Sequence, residues 1–350
     1  MVTITTDPAH GGRWTSLRTA PSPARHPRVS ADGTHRGACA TERGAPATER
    51  GAHATECGAH AIERGAHAIE RGAHAIERGA HATERGAHAT ERGAHAIERG
   101  AHAIERGADA TEGVSPDAGR EWLWRRSDPA RASVRPGDAF VDAGGLEECI
   151  PTVRGRPDHG DAWSRPWAVV SPTIAYVRCP DFELRREIAE SVVHYRLEAA
   201  PGWRFVWAAH ALLDVSPDAV LEAPAGTETR IDGRPTGVWP LGLERLGPDD
   251  GTAVGAVLVD CPTTSVADGE RLTLTLDAPG QPVSTALWRN LRGWPTETDV
   301  PSASPVTPYR SIGVEPMLGR VFDLADAKPG DAAVVPPSGV CEWTLTVTAG

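Results

Sequence analysis

The sequence predicts an all-β chain whose many short antiparallel strands pack as a sandwich or barrel, and three observations carry that expectation. Beyond residue 118 the apolar residues recur at period two, the spacing of strands with one buried face. The alternating runs are separated by Pro201-Gly202, Asp232-Gly233, Asp268-Gly269 and Pro279-Gly280, dipeptides that supply the backbone angles turns require. No amphipathic helical pattern of normal length competes, apart from a short turn around 323–327. Many short strands exclude a Rossmann or P-loop enzyme by class, and no Gly-rich phosphate loop is present.

Taken in order, the chain opens with VTITTDPAHGGRWTSLRT (2–19), read as a strand pair, and then enters a tandem heptapeptide array over 37–113. Eleven units run from GACATER through GAHAIER and GAHATER to GADATEG. Each unit carries a glycine, and at about 1 kcal/mol apiece these cost an isolated helix roughly 10 kcal/mol. Disorder or a marginal helix is therefore expected over the inserted segment 21–118, rather than a stable coiled coil. The eight histidines of the array stand seven apart, roughly 10.5 Å along a helix, too far to share an ion. Strands are then expected within 119–124, 167–179, 191–199, 204–215, 253–260, 284–290 and 343–347. RLTLTLD (271–277) is the clearest, with Leu272, Leu274 and Leu276 on one face and threonines on the other. The expected organisation is one domain, 1–20 plus 119–350, split by the insert.

A net charge of −11 argues against nucleic-acid binding, which needs clustered cations to neutralise phosphates. Lys328 is the only lysine beside 35 arginines, a skew that reads as GC-rich coding rather than guanidinium chemistry. The first residues lack a basic segment followed by an apolar one, and no apolar run approaches 18 residues. A soluble cytoplasmic protein with no membrane partner is the expectation. The six cysteines show no CxxC pair or metal-ligand spacing, so reduced, mostly buried thiols and no metal site are expected. Eleven Trp against four Phe and three Tyr make the indoles the main flat contact faces.

Three polar residues interrupt apolar or turn contexts. His159 lies in PDHGDAWSRPW (157–167), His210 within FVWAAHALL, and Glu315 between SIGV and Pro316, where it is read as standing at a strand end. Each alone has a bland reading, a satisfied buried histidine or a solvated carboxylate. Two imidazoles and a carboxylate together suit paired general acid and base work near neutral pH.

The segments GGLEECIPTV (144–153), PDHGDAWSRPW, FVWAAH (205–210), STALWRNLRGWP (284–295) and IGVEP (312–316) follow in matching order. In them the chain resembles the aldose 1-epimerase, or galactose mutarotase-like, family over most of its length outside the repeat. The resemblance implies a large antiparallel β-supersandwich with a sugar cleft on one sheet. It implies that His210 protonates the pyranose ring oxygen, that Glu315 removes the anomeric hydroxyl proton and that His159 orients the sugar. No cofactor is implied. Glu148, Arg165, Trp288 and Trp294 are the expected sugar-contacting residues, with Asp260 a poorer candidate and His194 read as structural. The family's substrate-binding Arg and Asp have no clear match, and Arg292 and Ala211 depart from its pattern. These departures bear on the sugar, and Arg289 with Arg292 could serve a phosphorylated one.

Two other functions compete with an isomerase. A carbohydrate-binding or sensing module on the same fold would bind sugar without turnover, and a repeat-based interaction scaffold would self-associate through 21–118. The particular sugar and the oligomeric state are not legible in the sequence.

Overall fold

The computed structural model describes residues 2–19, 119–295 and 308–350, and the readings made for the heptapeptide array lie outside them. In chain order the strands are β1 (Val2–Asp7), β2 (Arg13–Thr19), β3 (Leu146–Cys149), β4 (Ala168–Ser171), β5 (Ile174–Arg178) and β6 (Phe182–Ala189). They continue as β7 (Val192–Ala199), β8 (Arg204–Phe205), β9 (Trp207–Leu213), β10 (Val220–Glu222), β11 (Glu228–Ile231), β12 (Arg234–Val238) and β13 (Ala253–Leu258). The last are β14 (Thr263–Asp268), β15 (Glu270–Asp277), β16 (Val283–Leu291), β17 (Arg310–Leu318), β18 (Ala333–Val334) and β19 (Val340–Ala349).

These strands form two large antiparallel sheets, one ordered β1-β2-β3-β9-β17-β16-β13-β11-β12 and the other β10-β14-β15-β19-β7-β6-β5-β4. Leu258, Leu287 and Val314 of the first sheet share one buried core with Leu272, Leu345 and Leu197 of the second, so the sheets pack face to face as a sandwich. The expected fold class is met. The only helical pieces among the described residues are two 3-10 turns, and Leu324–Asp326 falls where the sequence predicts a short turn, capped by the Asp323 carboxylate accepting from Ala325 N–H at 2.8 Å. Among the described residues no helix is long and apolar enough to cross a membrane.

The two ends that flank residues 20–118 meet. Thr19 N–H donates to Arg120 O at 3.0 Å, and Arg120 N–H returns a bond to Thr19 Oγ1 at 3.0 Å. The chain therefore leaves β2 and re-enters at nearly the same point.

The alternation of strands decides which side chains face the core. On β9 Trp207, Ala209, Ala211 and Leu213 point between the sheets, while Ala208 belongs to a second apolar cluster on the outer face of the nine-stranded sheet. On β17 Ile312, Val314 and Leu318 point inward and Met317 outward; on β3 Leu146 points inward and Cys149 outward. With a period of two, His210, Glu147, Gly313 and Glu315 fall on the outer face, and Glu148 falls in the core.

That parity corrects one expectation. Glu148 is fully buried between the sheets, where it accepts from Arg186 at 2.9 Å, Tyr195 at 2.9 Å and the Trp207 indole at 2.9 Å. Every oxygen of Glu148 is committed to this interior network, which leaves nothing to receive a sugar hydroxyl. Arg186, 2% exposed, comes from β6 and also donates to Gly12 O, so this ion pair ties β3, β6 and the β1–β2 turn together. Glu315 also differs from expectation: it stands inside β17, not at a strand end. The β9–β17 register is interrupted between Gly313 and Met317. Pro316, which has no N–H to give, occupies that gap and so does not break the strand.

Candidate functional site

The outer face of the nine-stranded sheet brings His159, His210 and Glu315 together. His210 pairs in register with Glu147 of β3, and Glu315 with Ala286 of β16, so one row of side chains crosses four strands. His210 Nδ1 lies 2.9 Å from Glu315 Oε1, with side chains 8% and 2% exposed. The contact has ion-pair distance but not the direction of a linear hydrogen bond, and Glu315 Oε2 is buried with no hydrogen-bond partner. A buried carboxylate oxygen without a partner is costly. It is also the atom of this group left free to take a proton.

His159 reaches the site from the loop after β3. It has φ 58° and is followed by Gly160 at φ 76°. A Cβ on Gly160 would run into the Ile150 carbonyl, so only glycine fits the turn that aims His159 inward. Its ring meets that of His210 edge-on at 70°, centroids 5.0 Å apart, and its Nδ1 lies 2.9 Å from Asp158 Oδ1. Phe140 stacks on His159 at 3.6 Å, meets His210 edge-on at 5.6 Å and touches Trp163 at 4.8 Å, covering the pair from one side.

The two imidazoles are pushed in opposite directions. Burial pulls His210 down, but the Glu315 carboxylate, aided by Asp142 and Glu147, overrides it and leaves its pKa above the usual value. For His159 burial prevails over the raising effect of Asp158, with the neighbouring His210 adding to the depression, and its pKa lies below the usual value. A proton-holding His210 beside a neutral His159 is the division of labour an acid and an orienting group need. Burial pushes the Glu147 carboxyl up to about 7, against the Arg131 and Arg13 guanidinium groups. Arg131 donates to both Glu147 oxygens at 3.0 and 3.1 Å and to Trp163 O at 3.0 Å, fixing the carboxylate beside His210.

An aromatic wall borders the row on the β16 side. Trp288 faces Gly313 across the β16–β17 pairing, and its indole N–H donates to Ser311 Oγ at 3.0 Å. Trp294 meets Trp288 edge-on at 6.0 Å and Tyr309 at 6.1 Å. Asn290 holds Trp294 by accepting from its N–H at 3.0 Å and donating to its carbonyl at 2.9 Å. Gly313 keeps this corner open, since a Cβ there would lie 2.5 Å from Glu315 Oε1 and 3.1 Å from Trp288 Cβ.

The other expected residues do not join the site. Arg165 lies 3.5 Å from Asp161 and lines a surface depression with Pro136, Tyr176 and Arg178 that none of the acid/base residues borders. Arg292 pairs with Asp249 at 2.6 Å, and Arg289 donates to Arg245 O with Asp250 3.6 Å away. Each of these cations faces an acidic side chain, Asp249 or Asp250. Asp260 pairs with Arg320 at 2.7 Å, and His194, never a site candidate, stands on the exposed face of β7.

Sequence reasoning missed Glu147, Asp142, Phe140, Tyr309, Cys149 and Arg154. Parity along GGLEECIP was signal enough for the first: Leu146 and Ile150 are apolar and inward, so Glu147 and Cys149 face out. Asp142 accepts from Tyr309 O–H at 2.5 Å, a contact across 167 residues that no local pattern announces. The Arg154 guanidinium lies 5.8 Å over Trp288 and 5.6 Å over Phe322.

No family model and no curated protein matches the chain. Similar solved structures include a protein of Synechocystis sp. PCC 6803, at 15% identity over 66% of this chain and 85% of that one, with a TM-score of 0.47. A mutarotase candidate of Salmonella typhimurium is similar at 15% identity over 65% of this chain and 80% of its own, TM-score 0.44. A galactose mutarotase-related enzyme of Lactobacillus acidophilus is similar at 14% identity over 66% and 88%, TM-score 0.39.

Proposed function

We propose that the chain is an aldose 1-epimerase-like isomerase that interconverts the anomers of a small sugar by ring opening and closure. The observation that carries the reading is the His210–Glu315 pair at 2.9 Å, one oxygen of which is buried and unpartnered. In this account Glu315 takes the proton of the anomeric hydroxyl while His210 gives one to the ring oxygen. The C1–O5 bond breaks to leave a free aldehyde, C1 rotates, and the two proton transfers run backwards on the opposite face. His159, held by Asp158, orients the sugar, and Trp288 with Trp294 offers flat faces to its C–H surface. The protons move between positioned groups, so pre-alignment supplies most of the acceleration.

Glu315→Gln keeps the shape and removes the base. The expected cost is about a hundred- to ten-thousand-fold in anomer exchange, roughly 3 to 5 kcal/mol. Exchange of glucose and galactose by the variant at the rate of the unaltered protein rejects the assignment. A carbohydrate-binding module without turnover is the second reading, and the Phe140 ring stacked on His159 favours it by covering the histidines. Calorimetric sugar binding with exchange no faster than buffer selects that reading.

A further inference from the structure

The Cys149 thiol lies on the acid/base side of the sheet, in a place the proposed reaction does not use. Its sulfur and one ring nitrogen each of His159 and His210 lie within 4.8 Å of one another. Cys149 ends β3, His210 lies on the neighbouring β9, where Cys149 pairs with Ala208, and His159 hangs over both from the β3–β4 connection. Sequence spacing hides the set, since the three residues are separated by ten and by 51 positions.

We propose that Cys149, His159 and His210 form a binding site for a soft divalent transition-metal ion, Zn2+ by ligand type. One thiolate and two imidazoles match the sulfur and nitrogen donors that such ions select over Mg2+ or Ca2+. A carboxylate stands behind each ring: Asp158 2.9 Å from His159 Nδ1 and Glu315 2.9 Å from His210 Nδ1. A carboxylate set against a ring nitrogen is the arrangement that orients histidine ligands and raises their basicity. Glu315 and Asp158 also bring negative charge to the position. Tetrahedral ligand atoms at zinc sit roughly 3.3 to 3.7 Å apart for bonds of 2.0 to 2.3 Å, so closing the set takes about 1 Å of movement. His159 lies on a loop and is 17% exposed at its side chain, which gives the ion a way in. Water completes the fourth position.

Binding replaces the Cys149 S–H bond with an S–metal bond and passes the proton to buffer. The metal then holds the imidazoles that the proposed isomerase needs, so metal and sugar exclude one another.

The test uses the full chain and Co2+ as a probe, which reports thiolate ligation by a sulfur-to-metal charge-transfer band without any sugar or turnover. One Co2+ per chain with that band is expected. Cys149→Ser should abolish the band and weaken Co2+ binding at least ten-fold, whereas Cys57→Ser, in the histidine-bearing repeat, should leave it unchanged. His159→Gln should likewise weaken binding at least ten-fold, which keeps the test decisive if Cys149→Ser fails to fold. A protein that shows no thiolate band, a band that survives Cys149→Ser, or a Co2+ affinity left unchanged by His159→Gln overturns the proposal. Failure to find a sugar substrate leaves these readings untouched.

Discussion

Gly313→Ala tests whether the Glu315 carboxylate must stand where the fold puts it. The added Cβ would lie 2.5 Å from Glu315 Oε1, 3.1 Å from Trp288 Cβ and 3.3 Å from Leu212 Cδ2. Real Cβ contacts do not come under 3.0 Å, so the carboxylate must retreat by at least about 0.5 Å, and by nearer 1 Å to reach ordinary van der Waals contact. Its side chain can swing, whereas Trp288 and Leu212 need only give by a few tenths of an ångström. Stability should therefore change by no more than about 1 to 3 kcal/mol, the usual cost of a small overpacking. A catalytic group misplaced by about 1 Å loses on the order of a hundred-fold in rate. Exchange spectroscopy on the anomeric protons reads the rate, and thermal unfolding reads the fold. A folded Gly313→Ala protein that exchanges anomers as fast as the unaltered one refutes the reasoning.

Three further predictions follow from other parts of the molecule. Glu148→Gln leaves Arg186 buried without its counter-charge and should cost about 3 to 5 kcal/mol in urea unfolding; an unchanged midpoint would show that Glu148 is not the core's ion-pair partner. As the proposed acid, His210 would act protonated, and the Glu315 carboxylate raises its pKa above the usual imidazole value, so the alkaline limb of kcat/KM should lie above the pKa of a free histidine; an alkaline limb below that value would assign the proton elsewhere. Joining residue 20 to residue 119 through a short turn should preserve folding and turnover, because the neighbouring Thr19 and Arg120 already exchange hydrogen bonds and a long loop adds only a few kcal/mol of closure entropy; a chain that no longer folds in circular dichroism would show that residues 21–118 are required.

The strands most legible in the sequence were those with clean alternation. RLTLTLD became β15 and WTLTV lies within β19, both packed with one apolar face inward. By contrast β6, FELRREIA, alternates just as strictly, but Arg186 occupies a core position and disguises it. An arginine is placed inside only because Glu148 of another strand waits there, and that pairing spans 38 residues. The same long-range dependence explains the site. His159, His210 and Glu315 were visible as polar interruptions of apolar runs. Choosing Glu148 over Glu147 ignored the parity that Leu146 sets, and one residue along a strand is the difference between the core and the outer face of the sheet. The metal-competent triad was invisible for a simpler reason: its members come from two strands and a loop, and only the sheet brings them within reach.

Exchange spectroscopy on the unaltered protein with a panel of aldoses tests the central claim most directly. The account predicts that for at least one sugar the interconversion of α and β anomers rises in proportion to protein concentration and returns to the buffer rate with Glu315→Gln. Exchange at the buffer rate for every sugar, including any that calorimetry shows to bind, would contradict it.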